Sequence, residues 1–575
     1  MRNTEVAKVF SDIADLLDLK GEIPLKIRAY QRAARAVEHL PKEMGVILQE
    51  GGSLRDINGV GEAIGKKITE LVATGRLEYY DRLQAEFPEG ISELLEIPGV
   101  DPRTAMRLAS ELGIKSVEGL ERSIRAGEVA TLVGLGQRVA DNILHQIKAL
   151  RRRDQRIPLA EALPIVEDIL SSLAPLPGVR NLSAAGSVRR LRETVGDIDL
   201  IGAADRPEKV IGAFIGLPVV REVLASGPGR ASIIVDGGLQ VDLRLVEHER
   251  FGSLLQYFTG NKEHNLILRE RGQGRGLTLS EYGITPTGSG VAELFASEEA
   301  LYHRLGLSFI PPELREGGCE VEMAGRGAVP ALVEVSDVLG DLHVHSDWSD
   351  GHDSIETMAR AARERGYTYL AITDHSGGLG IARGLTLERL EWQMREVREL
   401  DRGLEGIRIL TGTEVNIRAD GRLDFPDEVL SQLDIVVAGV HSGTNQPRDR
   451  MTRRIIGAME NPHVDVLAHP TCRLLGGREP IDVDMEALFR AAVRTGTALE
   501  INAMPMRLDL RDIHISRARE LGVKLVIGTD AHRASHQDMM RFGVGAARRG
   551  LCESHHILNT APLGGIVRFL KRDGP

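Results

Sequence analysis

The spacing of apolar residues changes twice along this chain, and each change marks a different kind of structure. Near the start, Val6, Phe10, Ile13, Leu16 and Leu17 fall three or four residues apart, and residues 29–37 continue the pattern. The opening segment, residues 1–90, therefore reads as amphipathic helices. Further on the period shortens to two. Asp197 and Asp199 sit among Ile198, Leu200 and Ile201, and Gln240, Asp242 and Arg244 alternate with Leu239, Val241, Leu243 and Leu245, which predicts two strands. From about residue 339 the apolar residues come in short runs: 341–345, 369–373, 407–414, 435–440, 465–468, 498–501 and 523–528. Helical stretches separate most of them. Alternating strands and helices predict a parallel sheet, and seven units predict a barrel related to the eightfold one. Between these regions Pro311-Pro312, Gly317-Gly318 and Gly325-Arg326-Gly327 loosen the pattern and predict a linker at 318–338.

The helical segment carries a repeated glycine motif. Ile57 is followed by Gly59-Val60-Gly61 and then by a helix with Ile64 and Ile68 on its apolar face, which is a helix-hairpin-helix. Its glycines expose backbone N–H groups at a helix N-terminus, where a DNA phosphate can sit without any reading of bases. Residues 97–105, with Gly99, form a second copy, and 133–140, with Gly134 and Gly136, a weaker third. One such turn is ordinarily only a tight turn; its repetition at the heads of helices favours DNA binding.

The two-period strands carry the next chemistry. Asp197 and Asp199 point to one face of a strand and can share a divalent ion, and Asp242 on a neighbouring strand completes a set for two ions. Ahead of them, Gly186 lets backbone approach a phosphate, the Ser187 hydroxyl donates to it and Arg190 supplies charge. An Asp-x-Asp pair also occurs by chance on solvated strands. The Gly-Ser before it and the Asp-bearing strand after it favour nucleotidyl transfer.

At this point the sequence resembles the nucleotidyltransferase palm of the family X DNA polymerases, the group that includes DNA polymerase beta. The resemblance implies a lyase-like DNA-binding domain at 1–90, fingers at 91–150, a palm at 151–245 and a thumb at 246–317. It implies catalytic and metal-binding roles for Asp197, Asp199 and Asp242, and nucleotide contacts from Gly186, Ser187, Arg190, Gly196, Tyr257, Phe258, Gly260, Lys262 and Asn265. Tyr257 and Phe258 would crowd the sugar so that a ribose 2′-hydroxyl is disfavoured. DNA would be held by Gly59, Gly61, Gly99 and Arg269, the last on the template strand. Lys67 falls on the Schiff-base lysine with which relatives excise a deoxyribose phosphate, although Lys66 replaces the acidic neighbour expected there, and a solvated helix lysine is the plainer reading. Two further departures are Gln240, where an arginine is expected beside the third aspartate, and Lys262, where an acid is expected.

In the barrel region the metal-type residues fall at equivalent places. His343 and His345 lie on the first strand with Asp350 in the loop after it; His375, Glu414, His441 and His469 mark the ends of the second to fifth; Asp530 and His532 follow the seventh. All nine would converge on one mouth, where such folds keep their active sites. A lone histidine at a strand end is more often structural, but nine such residues in successive units point to metal. His264, His303, His352, His463, His514 and His536 lack this placement and read as ordinary. Residues 339–575 resemble the PHP (polymerase and histidinol phosphatase) family. That resemblance implies one ion on His343, His345, Glu414 and Asp530, a second bridged by Glu414 to His441 and His469, and a third on Asp350, His375 and His532. The chemistry implied is phosphoester hydrolysis, with manganese, zinc or iron suited to the mixed donors.

Composition changes this picture little. A chain of 575 residues must hold several cores. A net charge of −11 speaks mildly against nucleic acid, but a basic stretch at 148–156 is compatible with local DNA contact. Cys319, Cys472 and Cys552 are few and scattered, without a Cys-x-x-Cys, which argues for a reducing cytoplasm, and no apolar run is long enough for a bilayer.

The expectation is a multidomain chain: all-α helix-hairpin-helix N-terminal domains, an α+β nucleotidyltransferase palm and thumb, and a C-terminal (β/α)7 PHP barrel. It would be a cytoplasmic, monomeric DNA polymerase with two Mg2+ in the palm and up to three Mn2+ or Zn2+ in the barrel. Its substrates would be gapped or nicked duplex DNA and dNTPs, and it would remove 3′ nucleotides and incise abasic sites in base excision repair. Two alternatives stand beside it: a phosphatase of small esters with an idle polymerase half, and a non-catalytic scaffold for DNA ends.

Overall fold

The computed structural model describes residues 3–570 except 39, 41–43, 50–53, 55, 56, 58, 89, 96, 98, 99, 101, 133, 134, 138, 142, 145, 146, 148–155 and 378–381. Gly99, Gly134 and most of the basic stretch thus lie outside the described residues. The chain divides into two compact units, Met1–Gln155 and Arg156–Pro575.

The first unit is helical. The helices Asn3–Leu19 and Pro24–Glu38 pack through Phe10, Ile13, Leu17, Tyr30 and Val37, and the same core runs on through Ile68, Leu77, Leu94, Leu108, Leu120 and Ile147. The expected division at residue 90 is therefore not a break in packing. Helix Glu62–Thr74 begins at Gly61, whose backbone is extended and which offers no side-chain cap, and stops at Gly75, left-handed at φ 71°.

The second unit opens with a five-stranded sheet in the order Val179–Ala184, Asp197–Ala204, Gln240–Val246, Arg230–Val235, Val220–Gly227. Its alternation sorts side chains to two faces. Ile198, Leu200, Val241 and Leu243 face the helices Leu159–Leu173 and Pro207–Ile215. Ile201 and Ala203 face the helix Phe251–Thr259. By the same two-residue period Asp197, Asp199 and Asp242 share the second face.

A smaller core of Leu268, Leu277, Ile284, Tyr302 and Ile310 follows. Into it runs the stretch 318–338, expected as a linker. It carries the helix Glu320–Gly325, and Val321, Ala324 and Leu332 are buried in this core. Glu320 holds it in place by accepting from the His264 ring and from Gly317 N, at 2.8 and 3.0 Å.

Seven parallel strands come next, paired in chain order: Gly340–Val344, Tyr369–Ile372, Arg408–Asn416, Ile435–Gly439, Val466–Leu467, Ala498–Asn502 and Leu525–Gly528. The ring closes at its C-terminal mouth by one bridge, Val344 to Ala531. Alternate residues fill two cores, Tyr369, Leu410, Val437 and Val526 inside the ring and Leu370, Ile409, Val436 and Ile527 outside it. Ile566 of the last helix joins the inner core. Burial on both faces explains why these strands read as unbroken apolar runs. Among the described residues, no helix is long and apolar enough to cross a membrane.

Candidate active sites

In the palm, the strands bearing the carboxylates run parallel with Asp199 opposite Asp242 and Asp197 opposite Gln240. The turn before them is built against Asp199. Gly186 has φ 56°, and a Cβ there would come within 2.7 Å of an Asp199 carboxylate oxygen, so glycine is required. Ala185 N donates to the Asp199 carbonyl at 2.8 Å, and Gly196 is buried just ahead of the pair. Asp242 accepts from the Ser232 hydroxyl and from the Gln240 amide, at 3.0 and 3.2 Å for the latter. Gln240 thus orients the carboxylate without bringing a charge.

The expected nucleotide contacts gather on the helix pair beyond the sheet. Tyr257 and Phe258 pack edge to face at 5.3 Å, and Gly260 ends their helix with φ 66°. Asn265 donates to the Tyr257 carbonyl at 2.8 Å and accepts from Gln256 at 2.8 Å. Arg269 lies 5.5 Å from the Tyr257 ring and bonds its hydroxyl. Lys262 opens the following helix, Lys262–Gln273. Arg190 differs from the expectation of a cation presented to phosphate. It pairs with Glu316 at 3.2 Å and donates to the Thr259 carbonyl, because the end of the thumb segment folds back over it.

At the barrel mouth all nine expected ligands come together around Glu414. Its Oε1 meets His441 Nε2 and His469 Nε2, each at 2.9 Å. Its Oε2 meets His375 Nδ1 at 2.9 Å, His343 Nε2 at 3.4 Å and His345 Nε2 at 3.5 Å. His345 Nε2 also lies 3.2 Å from Asp530, and Asp350 stands 3.6 Å from His375 and 3.4 Å from His532. Eight of the nine fall into three overlapping groups of ligand atoms, His345, Asp350, His375 and His532; His343, His345 and Asp530; and His375, Glu414 and His441; His469 reaches them through Glu414. His345 and His375 each belong to two of these, so the expected division among three ions is less sharp in the geometry.

The electrostatics of the mouth suit a cation. Burial works against charge on Glu414 and Asp530, but the imidazoles outweigh it. His441, His375 and His343 hold Glu414 well below the usual carboxylate range, and His343 and His345 do the same to Asp530. Burial, with His532 and His375, pushes His345 down to about 3, so its ring is an unprotonated donor. Glu414 Oε2 is buried without a hydrogen-bond partner, and the Nε2 atoms of His343 and His345 face each other at 3.2 Å. Around the ionised carboxylates the balance differs from ring to ring: burial leaves His345 unprotonated, whereas at His343, His375 and His532 the neighbouring carboxylates outweigh burial and raise the ring above its ordinary value. This crowding of acids, imidazoles and an orphaned oxygen is one that divalent metal would relieve.

Family models match the chain at four places: a helix-hairpin-helix domain at residues 1–77, a SAM-like helix-hairpin-helix tandem at 91–149, a DNA polymerase beta thumb at 254–316 and a PHP domain at 341–504. Over its full length the chain is 40% identical to the DNA polymerase/3′-5′ exonuclease PolX of Bacillus subtilis (strain 168), with all of both chains covered. The chain belongs to the PolX family. Over 243 residues the chain is 31% identical to a probable phosphatase of Thermoanaerobacter sp. (strain X514), covering 40% of this chain and 94% of that one. A probable phosphatase of Shewanella oneidensis is 32% identical over 251 residues, or 41% and 92%.

Several residues around this mouth carry no motif in the sequence. Glu500, in the sixth strand, takes His343 Nδ1 at 2.6 Å and the backbone N–H of His469 at 2.7 Å. A carboxylate only accepts, so His343 Nδ1 is the donor and Nε2 is left for the mouth. Asp374 is buried against Ser346, Ser349 and Gln393. Arg507 lines a mouth cavity of about 480 Å³, 3.5 Å from Asp530, with its Nε and one Nη buried and without hydrogen-bond partners. The usable signal was an acid inside an apolar strand, and an arginine in the loop of the one strand that seemed to bring no ligand.

In the helical unit, Gly59 has φ 94° and Gly61 heads a helix with no side-chain cap of its own. On that helix Lys67 lines a pocket of about 570 Å³ with Lys66, Glu70, Tyr79 and Arg82, its Nζ 4.7 Å from the Tyr79 ring. Burial lowers its pKa, with Lys26 and Arg82 acting the same way against Glu70.

Proposed function

We propose that this chain is a DNA-directed DNA polymerase and a metal-dependent 3′-5′ exonuclease, which fills short gaps and cleans 3′ ends in base excision repair. The observation that carries the reading is the presence of two separate donor sets, a palm triad of Asp197, Asp199 and Asp242 and a nine-residue mouth around Glu414, in a chain alignable end to end with PolX. Two Mg2+ would be held by the palm triad, and Mn2+ or Zn2+ by the mouth. When bound, such ions supply charge neutralisation at phosphate and lower the pKa of water. The protein's own groups do the rest. Ser232 and Gln240 hold Asp242 in register with Asp199, Glu500 fixes the tautomer of His343, and Arg507, which lines the cavity beside Asp530, supplies positive charge where a phosphodiester would lie. Gapped or nicked duplex, dNTPs and a monomeric state complete the proposal, with incision at abasic sites as an extension of the same mouth.

The test is a labelled primer on gapped duplex with Mn2+, with or without nucleotides. Asp197→Ala should lose extension alone and His343→Ala degradation alone. Degradation by His343→Ala at the wild-type rate would assign the mouth another substrate. Primer extension by Asp242→Ala would remove the palm reading. A second reading, lyase chemistry at Lys67, rests on its pocket and depressed pKa.

A further inference from the structure

A buried ion-pair network runs from the barrel domain to the loops expected to cradle the triphosphate. Arg549 ends the helix Met540–Arg549 of the barrel, and its side chain is only 4% exposed. One of its nitrogens donates to Glu316 Oε1 at 2.8 Å and to the Arg190 carbonyl at 3.1 Å, and the other pairs with Asp512. Glu316 is where two polymerase loops meet. Its Oε1 takes Arg190 Nε at 3.2 Å and its Oε2 takes Asn261 Nδ2 at 3.0 Å. Arg190 in turn donates to the Thr259 carbonyl, and a Cβ on Gly260 would lie 3.4 Å from that guanidinium. One carboxylate therefore ties the 186–190 turn to the 257–261 turn, and a cation from the other half of the molecule shares it.

Removing Arg549 would leave Glu316 buried with two counter-charges, Arg190 on Oε1 and Arg192 at 3.7 Å from Oε2, and Arg190 would be the one left on the oxygen that Arg549 vacates. Arg190 would be drawn harder onto Glu316 and away from any phosphate. We propose that Arg549 is a positioning residue for nucleotidyl transfer: by sharing Glu316 it sets where Arg190 and the Gly260 and Asn261 turn lie, so that nucleotide affinity in the palm depends on the barrel. The inference rests on the reading of residues 186–190 and 257–265 as the nucleotide site.

The experiment uses the full chain and measures KM and kcat for dNTP on gapped primer, alongside the exonuclease rate on the same primer without nucleotides. Arg190→Ala should raise KM, which tests the underlying reading. Arg549→Ala should raise KM about tenfold with kcat little changed, the size of one charge-assisted hydrogen bond. Its exonuclease rate should stay within about twofold of wild type, a spread within ordinary assay scatter. Arg549→Lys should recover part of the loss, and the double variant should be no worse than Arg190→Ala alone, since both act through one guanidinium. If Arg190→Ala raises KM while Arg549→Ala does not, or if the two effects multiply, the proposal is overturned. If Arg190→Ala leaves KM unchanged, the nucleotide reading of this loop fails and the proposal fails with it. Should Arg549→Ala lose both activities by misfolding, Glu316→Gln decides, because it weakens the same link from the polymerase side and leaves Arg549 its pair with Asp512; an unchanged KM there overturns the proposal.

Discussion

Replacing Glu500 by glutamine isolates the contribution of a residue that stands behind the expected ligands His343 and His469. Glu500 Oε1 lies 2.6 Å from His343 Nδ1, while Oε2 accepts from His469 N at 2.7 Å and from Asn502 Nδ2 at 3.1 Å. All of its partners are donors. Glutamine has nearly the same shape but one acceptor oxygen, so its amide must face a donor on one side. A hydrogen bond to a charged group is worth about 1.5–3 kcal/mol and a neutral one about 0.5–1.5 kcal/mol, so the exchange costs about 1–2 kcal/mol at His343. That is about 5- to 30-fold in affinity, and outer-shell partners of metal ligands typically carry 10- to 100-fold. The assay is 3′ degradation of a labelled primer against Mn2+ concentration. Half-saturation should rise about tenfold, with most of the rate recovered at saturating Mn2+, while primer extension in Mg2+ is unchanged. Half-saturation within about twofold of wild type would show that His343 needs no carboxylate behind it, and the assignment of its tautomer would be wrong.

Arg507→Ala should lower exonuclease kcat/KM by about 100-fold and leave extension intact, as expected on losing a charge-assisted contact to phosphate; equal loss of both activities would mean a structural role. Borohydride should trap the wild-type chain on a nicked abasic duplex but not Lys67→Ala, and trapping should quicken as pH rises through the lowered pKa of Lys67; persistent trapping in the variant would move the chemistry to another amine. Burial opposes charge on Glu316 and Glu298, yet their arginine partners hold both below the ordinary carboxylate value. Their stabilisation is thus full above the unfolded pKa of about 4.3 and lost as pH falls through the folded value. Thermal melts from pH 7 to pH 3 should fall more steeply for wild type than for Glu316→Gln; parallel slopes would exclude this pair as a source of acid sensitivity.

How much was legible in the chain follows from what each signal measures. The run at 369–373 becomes the strand Tyr369–Ile372 because both of its faces are buried, so local hydrophobicity alone outlines it. The nine mouth residues were equally visible, since a strand end in a barrel leads to the same place whatever the intervening helix does. Glu500 was not, because its role exists only once the sixth strand stands beside His343, 157 residues away in sequence. Arg190 shows the same limit. Its charge was apparent, but the carboxylate that claims it lies 126 residues on, at the end of the thumb segment. The stretch 318–338 failed for a related reason. Glycines there suggested a linker, whereas the deciding contacts are Glu320 with His264 and Val321 with the core laid down before it. Periodicity reports what a segment buries, and only closure of the fold reports which charge it meets. Glu316 and Arg549, whose ion pair joins the polymerase loops to the barrel within the second unit, are therefore of the kind that motif reading passes over, and substitution is the way to weigh them.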